Sequence, residues 1–496
     1  MTNSPHKHPQ KNLHKYPYLK QDFGASIVVF LVALPLCVGV AVASGVPAEL
    51  GLVTGIVGGI VTGLLPGSSL QVSGPAAGLT VLVFEAVREF GLPALGAIVL
   101  AAGVLQLVMG ALKLGRWFRA ISVSVVEGML AGIGLVIIAG QMYAAAGMTA
   151  PASGIDKITG LPRAFVEAVG STTALTSIAI GAGTVAVLVL WKRLPETVRA
   201  VPGALAAVVL ATLAALAFDL PVATVEVQGL LDAVQVPGAD AFGELASPAA
   251  LGTVLAFALI ASAESLFSAA AVDRMHDGER TRYDKELMAQ GAGNAVCGAL
   301  GALPMTAVIV RSSANVQAGA KTKTSRVLHG VWLLLFAALL PGALALIPLP
   351  ALAGVLVHAG WKLIPFRQIV SLWRTHRGEA LILVVTAVAI VAVNMFEGVL
   401  IGLALSVAKT AWEASHIKLE VIDKGAGPVQ AYLSGNATFL QLPKILDSLE
   451  ALPQDRPIEL DLSGLHHLDH ACRTALESWA ERHSASDTEP VKVTSS

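Results

Sequence analysis

Apolar runs of about twenty residues follow one another from residue 24 to residue 411, parted by short polar loops, and this repetition restricts the fold more than any single motif does. An uncharged stretch of that length can satisfy its backbone in a bilayer only as a helix or a closed barrel, and these runs lack the two-residue alternation of a barrel strand. Splitting long runs at Gly, Pro or charge gives fourteen segments: 24–43, 49–65, 75–87, 93–112, 121–144, 172–191, 201–218, 248–269, 286–302, 310–320, 327–346, 349–363, 379–393 and 397–411. With 55% of residues hydrophobic and only 14% charged, an ordinary water-soluble protein is excluded. The expected fold class is mainly α, a polytopic membrane protein of 14 transmembrane segments.

Loop charge tests that count, because one missed span would invert every later loop. With a cytoplasmic N-terminus, Lys113, Arg116 and Arg119 fall inside, followed by Lys192, Arg193 and Arg199, and by Arg274, Arg280, Arg282 and Lys285. Lys321, Lys323 and Arg326 join them, as do Lys362, Arg367, Arg374 and Arg377. Outside loops hold only Arg88, Lys157 and Arg163, and 219–247 has acids but no Lys or Arg. The excess of cytoplasmic cations puts both termini in the cytoplasm, and the expected location is the cell (inner) membrane, multi-pass. Residues 1–22 read as a basic cytoplasmic segment containing Lys7, Lys11, Lys15 and Lys20, without a cleavable signal peptide. Cys37, Cys297 and Cys472 match no metal, haem or disulfide spacing and read as buried thiols.

After residue 412 the pattern changes. Residues 417–423 and 429–434 alternate like strands, 439–452 reads as an amphipathic helix, 457–463 as a strand and 469–483 as a second helix. The expected domains are thus the N-terminal segment 1–22, a transmembrane domain 23–412 and a small cytoplasmic α/β domain 416–496.

Two stretches interrupt the procession of spans. In the first, Leu65-Pro66 leads through a β-prone run, Leu70 to Ser73, into Ser73-Gly74-Pro75 and a small-residue helix, with Ser or Gly read as N-cap and Pro75 at the first helical position. In the second, Leu303-Pro304 leads through Met305–Val310 to Arg311-Ser312, and counting from each proline pairs Ser73 with Arg311. Each break introduces the third span of a set of seven. Seven is odd, so the two halves would be inverted, their half-helix N-termini meeting near the midplane.

At these residues the chain resembles the sulfate permease (SulP) family of anion transporters, bacterial branch. The resemblance rests on Ser73-Gly74-Pro75-Ala76-Ala77-Gly78-Leu79, on Glu264, on Asp284-Lys285-Glu286-Leu287-Met288-Ala289-Gln290-Gly291-Ala292-Gly293-Asn294 and on Arg311-Ser312-Ser313. The C-terminal domain resembles a STAS domain through Asp461-Leu462-Ser463-Gly464 and Leu468-Asp469-His470. The resemblance implies a seven-plus-seven inverted repeat, with spans 1–4 and 8–11 as a core that moves like an elevator against a gate of spans 5–7 and 12–14, commonly as a homodimer. Two departures stand out. Leu36 follows Pro35 where many relatives carry glutamine, and His470 takes the place of a phosphorylatable serine.

A helix N-terminus exposes unsatisfied N–H groups and carries about half a positive charge, so two that face each other suit an oxyanion. The expected substrate-binding residues are Gln71, Ser73, Gly74, Ala76 and Ala77 from the first break and Val310, Arg311 and Ser312 from the second. Arg311 supplies a permanent charge and a bidentate fork, unless it is a structural partner of Glu264. Glu264 and Ser268, one turn apart, are the ion-coupling candidates. A carboxylate out of water suits proton carriage, whereas Glu264, Ser268 and span-10 carbonyls would suit Na⁺; Arg311 repels a cation and favours the proton. The glycines from Gly51 to Gly63 read as close helix packing, and His466, His467 and His470 as a solvated surface without metal. No nucleophile, metal cluster or phosphate loop suggests an enzyme, and no cofactor or nucleic acid is expected.

The function this supports is secondary active transport of a small anion (sulfate, bicarbonate or a dicarboxylate such as fumarate), coupled to H⁺, in the lipid bilayer. A Na⁺-coupled bicarbonate symporter, an uncoupled anion channel and a membrane-tethered signalling protein are the alternatives.

Overall fold

The computed structural model describes residues 18–116, 122–151, 153–191, 193–199, 201–227, 229–423, 425, 427–453, 456–484 and 492–494. Lys7, Lys11, Lys15, Arg119 and Lys192 of the loop-charge reading lie outside the described residues. The chain divides into two compact units, Met1–Gly402 and Leu403–Ser496.

The first unit is nearly all helix. Its first half runs α1 (Leu19–Ala43), α2 (Ala48–Leu64), the strand β1 (Ser73–Pro75), α3 (Thr80–Phe90), α4 (Leu92–Ala111), α5 (Val123–Ala145), α6 (Gly154–Val169), α7 (Thr172–Trp191) and α8 (Gly203–Ala217). The second half runs α9 (Pro248–Asp273), α10 (Tyr283–Ala299), the strand β2 (Met305–Ala307), α11 (Ile309–Gln317), α12 (Thr324–Leu339), α13 (Leu349–Leu363), α14 (Phe366–Thr375), α15 (Arg377–Ala392) and α16 (Met395–Ala414). Helix is found in each of the fourteen apolar segments. Among the described residues, six helical stretches are long and apolar enough to cross a membrane: Leu19–Ala43, Leu92–Ala111, Val123–Ala145, Thr172–Trp191, Pro248–Asp273 and Leu349–Thr375.

Two packing groups emerge. α4 lies along α10 and α9, while α1 and α2 lie along α12. α5 lies along α13 and α15, and α7 along α13. The apolar environment of a bilayer gives helices no hydrophobic reason to associate, so close van der Waals approach must hold them. Glycine provides it: a Cβ on Gly59 of α2 would lie 2.5 Å from the Gly330 Cα of α12. This is the small-residue packing expected of the Gly51–Gly63 run.

Two segments of ten or more residues expected as loops are helical. α6 begins where the Ser153 hydroxyl accepts a hydrogen bond from Asp156 N at 3.1 Å, an N-cap. α14 follows a break at Ile364-Pro365 and has no buried residue. Both are short and amphipathic, and too polar to register as apolar runs.

The second unit takes in the end of α16, from Leu403, and contains β3 (Ile417–Ile422), β4 (Val429–Ala437), α17 (Leu442–Glu450), β5 (Ile458–Leu468), α18 (His470–Ser484) and β6 (Lys492–Thr494). The sheet order is β3-β4-β5-β6, with β3 antiparallel to β4 and the other neighbours parallel. Val429, Ala431, Leu433 and Leu460 of the sheet and Ile445, Leu449, Cys472 and Trp479 of the helices form its core. The strand β6 has no counterpart in the sequence reading, being three residues long. The Asp469 carboxylate accepts hydrogen bonds from Cys472 N and Phe439 N, capping α18 and tying down the approach to α17. His466, His467 and His470 are exposed.

Candidate functional site

The two interruptions meet. β1 and β2 pair antiparallel, Ser73 opposite Ala307, Gly74 opposite Thr306 and Pro75 opposite Met305. The local two-fold of such a pair relates Ser73 to Met305, not to Arg311 as counting from the prolines suggests. The loops after Leu65-Pro66 and Leu303-Pro304 therefore differ in length. Leu70–Val72 are not strand. Their backbone is satisfied by the other half of the chain: Leu70 O accepts from Asn315 Nδ2 at 2.9 Å, Gln71 O from Arg326 Nη1 at 3.2 Å, and Val72 N donates to Ser312 Oγ at 2.9 Å.

Pro75 closes β1 rather than opening a helix. Gly74 must stay extended to pair with Thr306, so helix begins later, as a 3-10 turn Ala77–Leu79 that continues into α3. On the other side α11 starts at Ile309, two residues after β2, as Ala77 comes two residues after β1. Neither start has a side-chain cap.

Both starts open on a cavity of about 400 Å³. Pro75, Ala77 and Gly78 border it on one side and Val308, Ile309, Val310 and Arg311 on the other, with Glu264, Phe267 and Ser268 of α9 between them. Across the cavity stand Val126, Met129 and Leu130 of α5, Leu188 and Trp191 of α7, and Val355, His358 and Lys362 of α13. Of the residues expected from sequence, Ala77, Val310, Arg311, Glu264 and Ser268 reach the cavity. Gln71, Ser73, Gly74, Ala76 and Ser312 do not line it; they support its wall. Gln71 Nε2 donates to Ser265 O at 2.7 Å, Ser73 Oγ accepts from Gln290 Nε2 at 2.7 Å, and Ser312 Oγ donates to Val308 O at 2.8 Å. Ala76 is 2% exposed in the apolar core, and a side chain on Gly74 would strike the Arg311 guanidinium.

Arg311 and Glu264 are not an ion pair among the described residues. Arg311 Nη2 donates to Pro75 O at 3.2 Å, while its Nε and Nη1 have no hydrogen-bond acceptor among the described residues. The Glu264 carboxylate lies against Gly78, where a Cβ would be 2.8 Å from each of its oxygens, and its buried Oε2 has no hydrogen-bond partner among the described residues. The carboxylate thus lies at the start of α3, and the guanidinium, carried by the first turn of α11, reaches back to Gly74 and Pro75 of β1.

Behind the cavity is a polar framework that loop counting missed. Arg326 and Glu286 were read as loop and helix-entry charges, yet they are 1% and 0% exposed. Arg326 Nη2 donates to Gly63 O at 3.2 Å and Leu65 O at 3.3 Å, and Glu286 accepts from Ser68 N and Gln290 Nε2, each at 2.7 Å. Asn294 brackets β2, accepting from Met305 N at 2.7 Å and donating to Met305 O at 3.1 Å. The sequence signal for Glu286, Gln290 and Asn294 was the polar string from Asp284 to Asn294 inside an apolar region, which does not extend to Arg326.

The model of the sulfate permease family matches residues 19–386 of the chain, which belongs to that family. Among curated relatives, the Bacillus subtilis protein named "Putative sulfate transporter YvdB" is 29% identical, with 94% of this chain and 89% of that protein covered. The bicarbonate transporter BicA of Picosynechococcus is 24% identical, with coverage of 93% and 86%. Among solved structures, the transmembrane domain of a cyanobacterium BicA superposes with a TM-score of 0.64 at 23% identity, covering 79% of this chain and 98% of that one. Murine Slc26a9, an anion transporter in the inward-facing state, gives a TM-score of 0.78 at 15% identity, with coverage of 97% and 86%. At these identities the structural likeness speaks for fold alone. Family membership makes the chain a membrane-embedded transporter rather than an enzyme.

Proposed function

We propose that the chain is a proton-coupled secondary active transporter of a small anion, with sulfate, bicarbonate and dicarboxylates such as fumarate as the candidate class. The observation that carries this reading is the β1–β2 ladder, which sets two uncapped half-helix starts on one cavity beside Arg311 and Glu264. The fold is read as fourteen spans in a seven-plus-seven inverted repeat. α1–α4 and α9–α12 form the moving core; α5, α7, α8, α13, α15 and α16 form the gate. Residues 416–496 are read as a cytoplasmic STAS domain, both termini as cytoplasmic, the membrane as the cell (inner) membrane and the assembly as a homodimer.

The arrangement supports a specific coupling step. An ionised Glu264 is itself an anion lodged at the start of α3, where it occupies the favourable end of that half-helix and repels a substrate anion. Protonation removes that charge. The anion then settles between the start of α3 and the start of α11, where Arg311 adds fixed positive charge. Proton and anion load together, and the core carries both past the gate.

Uptake of labelled bicarbonate, sulfate and fumarate into proteoliposomes, with pH and Na⁺ gradients imposed separately, tests this reading. The expected result is saturable uptake of one of them, accelerated by an inward proton gradient, with Glu264→Gln losing gradient-driven accumulation. Saturable uptake of none overturns the transport reading. Full accumulation by Glu264→Gln overturns the coupling step, and acceleration by Na⁺ alone selects the Na⁺ symporter, for which Ser268 beside Glu264 supplies oxygen ligands. Unitary currents in a planar bilayer would select a channel.

A further inference from the structure

We propose that α14 is a docking surface for anionic phospholipid, lying along the membrane interface with its aromatic edge among the acyl chains and its arginines at the headgroup phosphates. Phe366, Val370 and Trp373 are spaced four and three residues apart, which puts them on one face, and they are 44%, 55% and 52% exposed. Ile369 and Leu372 are half-buried. Arg367 and Arg374, seven residues apart, project together beside the apolar face, and both are exposed. The Trp361 ring, at the end of α13, lies 4.7 Å from that of Phe366 and extends the apolar surface past the Ile364-Pro365 break.

Neither water nor hydrocarbon suits this helix. In water it would leave two large aromatic faces wet, and in the bilayer core its arginines would lack partners. Only the boundary between them satisfies both, which is the ordinary setting of a short amphipathic helix with basic flanks. The charge selects the lipid: from Pro365 to Gly378 there are three arginines, Arg367, Arg374 and Arg377, and no Asp or Glu. Arginine's planar fork matches a phosphate, and a net negative headgroup adds attraction that a zwitterionic one lacks.

Tryptophan quenching tests this on the full-length protein in vesicles. Phosphatidylcholine vesicles would carry increasing fractions of brominated phosphatidylglycerol or brominated phosphatidylcholine, and the Trp373 signal would be taken as wild type minus Trp373→Phe. The Trp373 signal should be quenched by both lipids, with brominated phosphatidylglycerol binding several-fold more favourably. The triple variant Arg367→Gln/Arg374→Gln/Arg377→Gln should bring that preference to unity while Trp373 stays quenched. A Trp373 signal quenched by neither lipid would mean that the face meets water or protein, and the proposal falls. It falls equally if wild type shows no preference for the anionic lipid or if the triple variant keeps it. No transport is measured, so the outcome is separate from that of the uptake experiment.

Discussion

The Lys157 ammonium of α6 stands 5.5 Å from the centre of the Phe84 ring on α3, and the lysine is only 7% exposed. The Tyr143 hydroxyl of α5 donates to the Lys157 carbonyl at 3.1 Å, so one residue ties α6 both to its own neighbour and to the outer part of the first half-helix. A cation held over an aromatic face out of water is worth about 1–2 kcal/mol. Lys157→Met keeps the apolar stem and loses the charge. It should lower the thermal unfolding midpoint of the purified protein, while Lys157→Arg should restore most of the loss.

Gly78 is where the carboxylate meets the half-helix. Gly78→Ala would put a methyl group 2.8 Å from both Glu264 oxygens and push the side chain off the start of α3. Uptake into proteoliposomes should fall by about tenfold or more, the scale of one lost charged contact, with an unchanged size-exclusion profile. Gly252→Ala, on the same α9 as Glu264 but with nothing within 4 Å of the added carbon, should transport like wild type.

Arg311 does two jobs, donating to the Pro75 carbonyl with one arm and placing a fixed positive charge at the wall of the cavity. Lysine cannot do both with one compact ammonium. Arg311→Lys should remain folded yet raise the half-saturating anion concentration by about tenfold or more, as expected from loss of a bidentate contact. Concentration-dependent uptake reads this directly.

Asn294 is 1% exposed and forms hydrogen bonds with both polar groups of the Met305 backbone, as well as donating to Gln106 Oε1 at 2.8 Å. Asn294→Ala leaves a backbone donor and a glutamine oxygen buried without partners, at about 1–3 kcal/mol for each. Heat denaturation should shift downward, and transport should fall with it because β2 loses its bracket.

In the second unit, hydrogen bonds from Cys472 N and Phe439 N hold the Asp469 carboxyl below the usual carboxylate range. A lowered folded-state pKa gives stability that is present above the unfolded value and is lost as pH falls through the folded one. Between pH 5 and 2, pepsin should therefore cut within residues 417–484 progressively faster in wild type. Asp469→Asn should be cut faster at pH 5 and show a flatter pH response.

The Cys472 thiol, buried and beside that carboxylate, is pushed up to about 12. It should stay unreactive toward iodoacetamide at neutral pH until the unit unfolds, whereas an exposed cysteine introduced at Ser463 should react at once. Alkylation followed by mass spectrometry separates the two.

Much of this was legible from the chain. Long uncharged runs without two-residue alternation announce helices because a barrel strand, the other way to satisfy the backbone in a membrane, would alternate, and the break at Leu65–Thr80 stood out because it violated that pattern. The register of the break was not legible. The carbonyls and N–H groups of Leu70–Val72 are met by Asn315, Arg326 and Ser312, so the local run of β-prone residues says nothing about which three residues pair. Arg326 and Glu286 were misplaced for a related reason: a charge at the edge of a span counts as a loop charge until another segment folds over it. α6 and α14 escaped because amphipathic helices are half polar by composition.

The ladder between β1 and β2 also bears on how the protein is made. Val72 and its partner Ser312 are 240 residues apart in the chain. A ribosome therefore delivers the first half-helix and its strand edge long before the segments that satisfy them exist. Until then an uncapped helix end and an open strand edge must wait in or beside the translocon, shielded from lipid by something other than their final neighbours. The cavity cannot form during synthesis of either half; it is assembled last, when the second half of the chain closes onto the first.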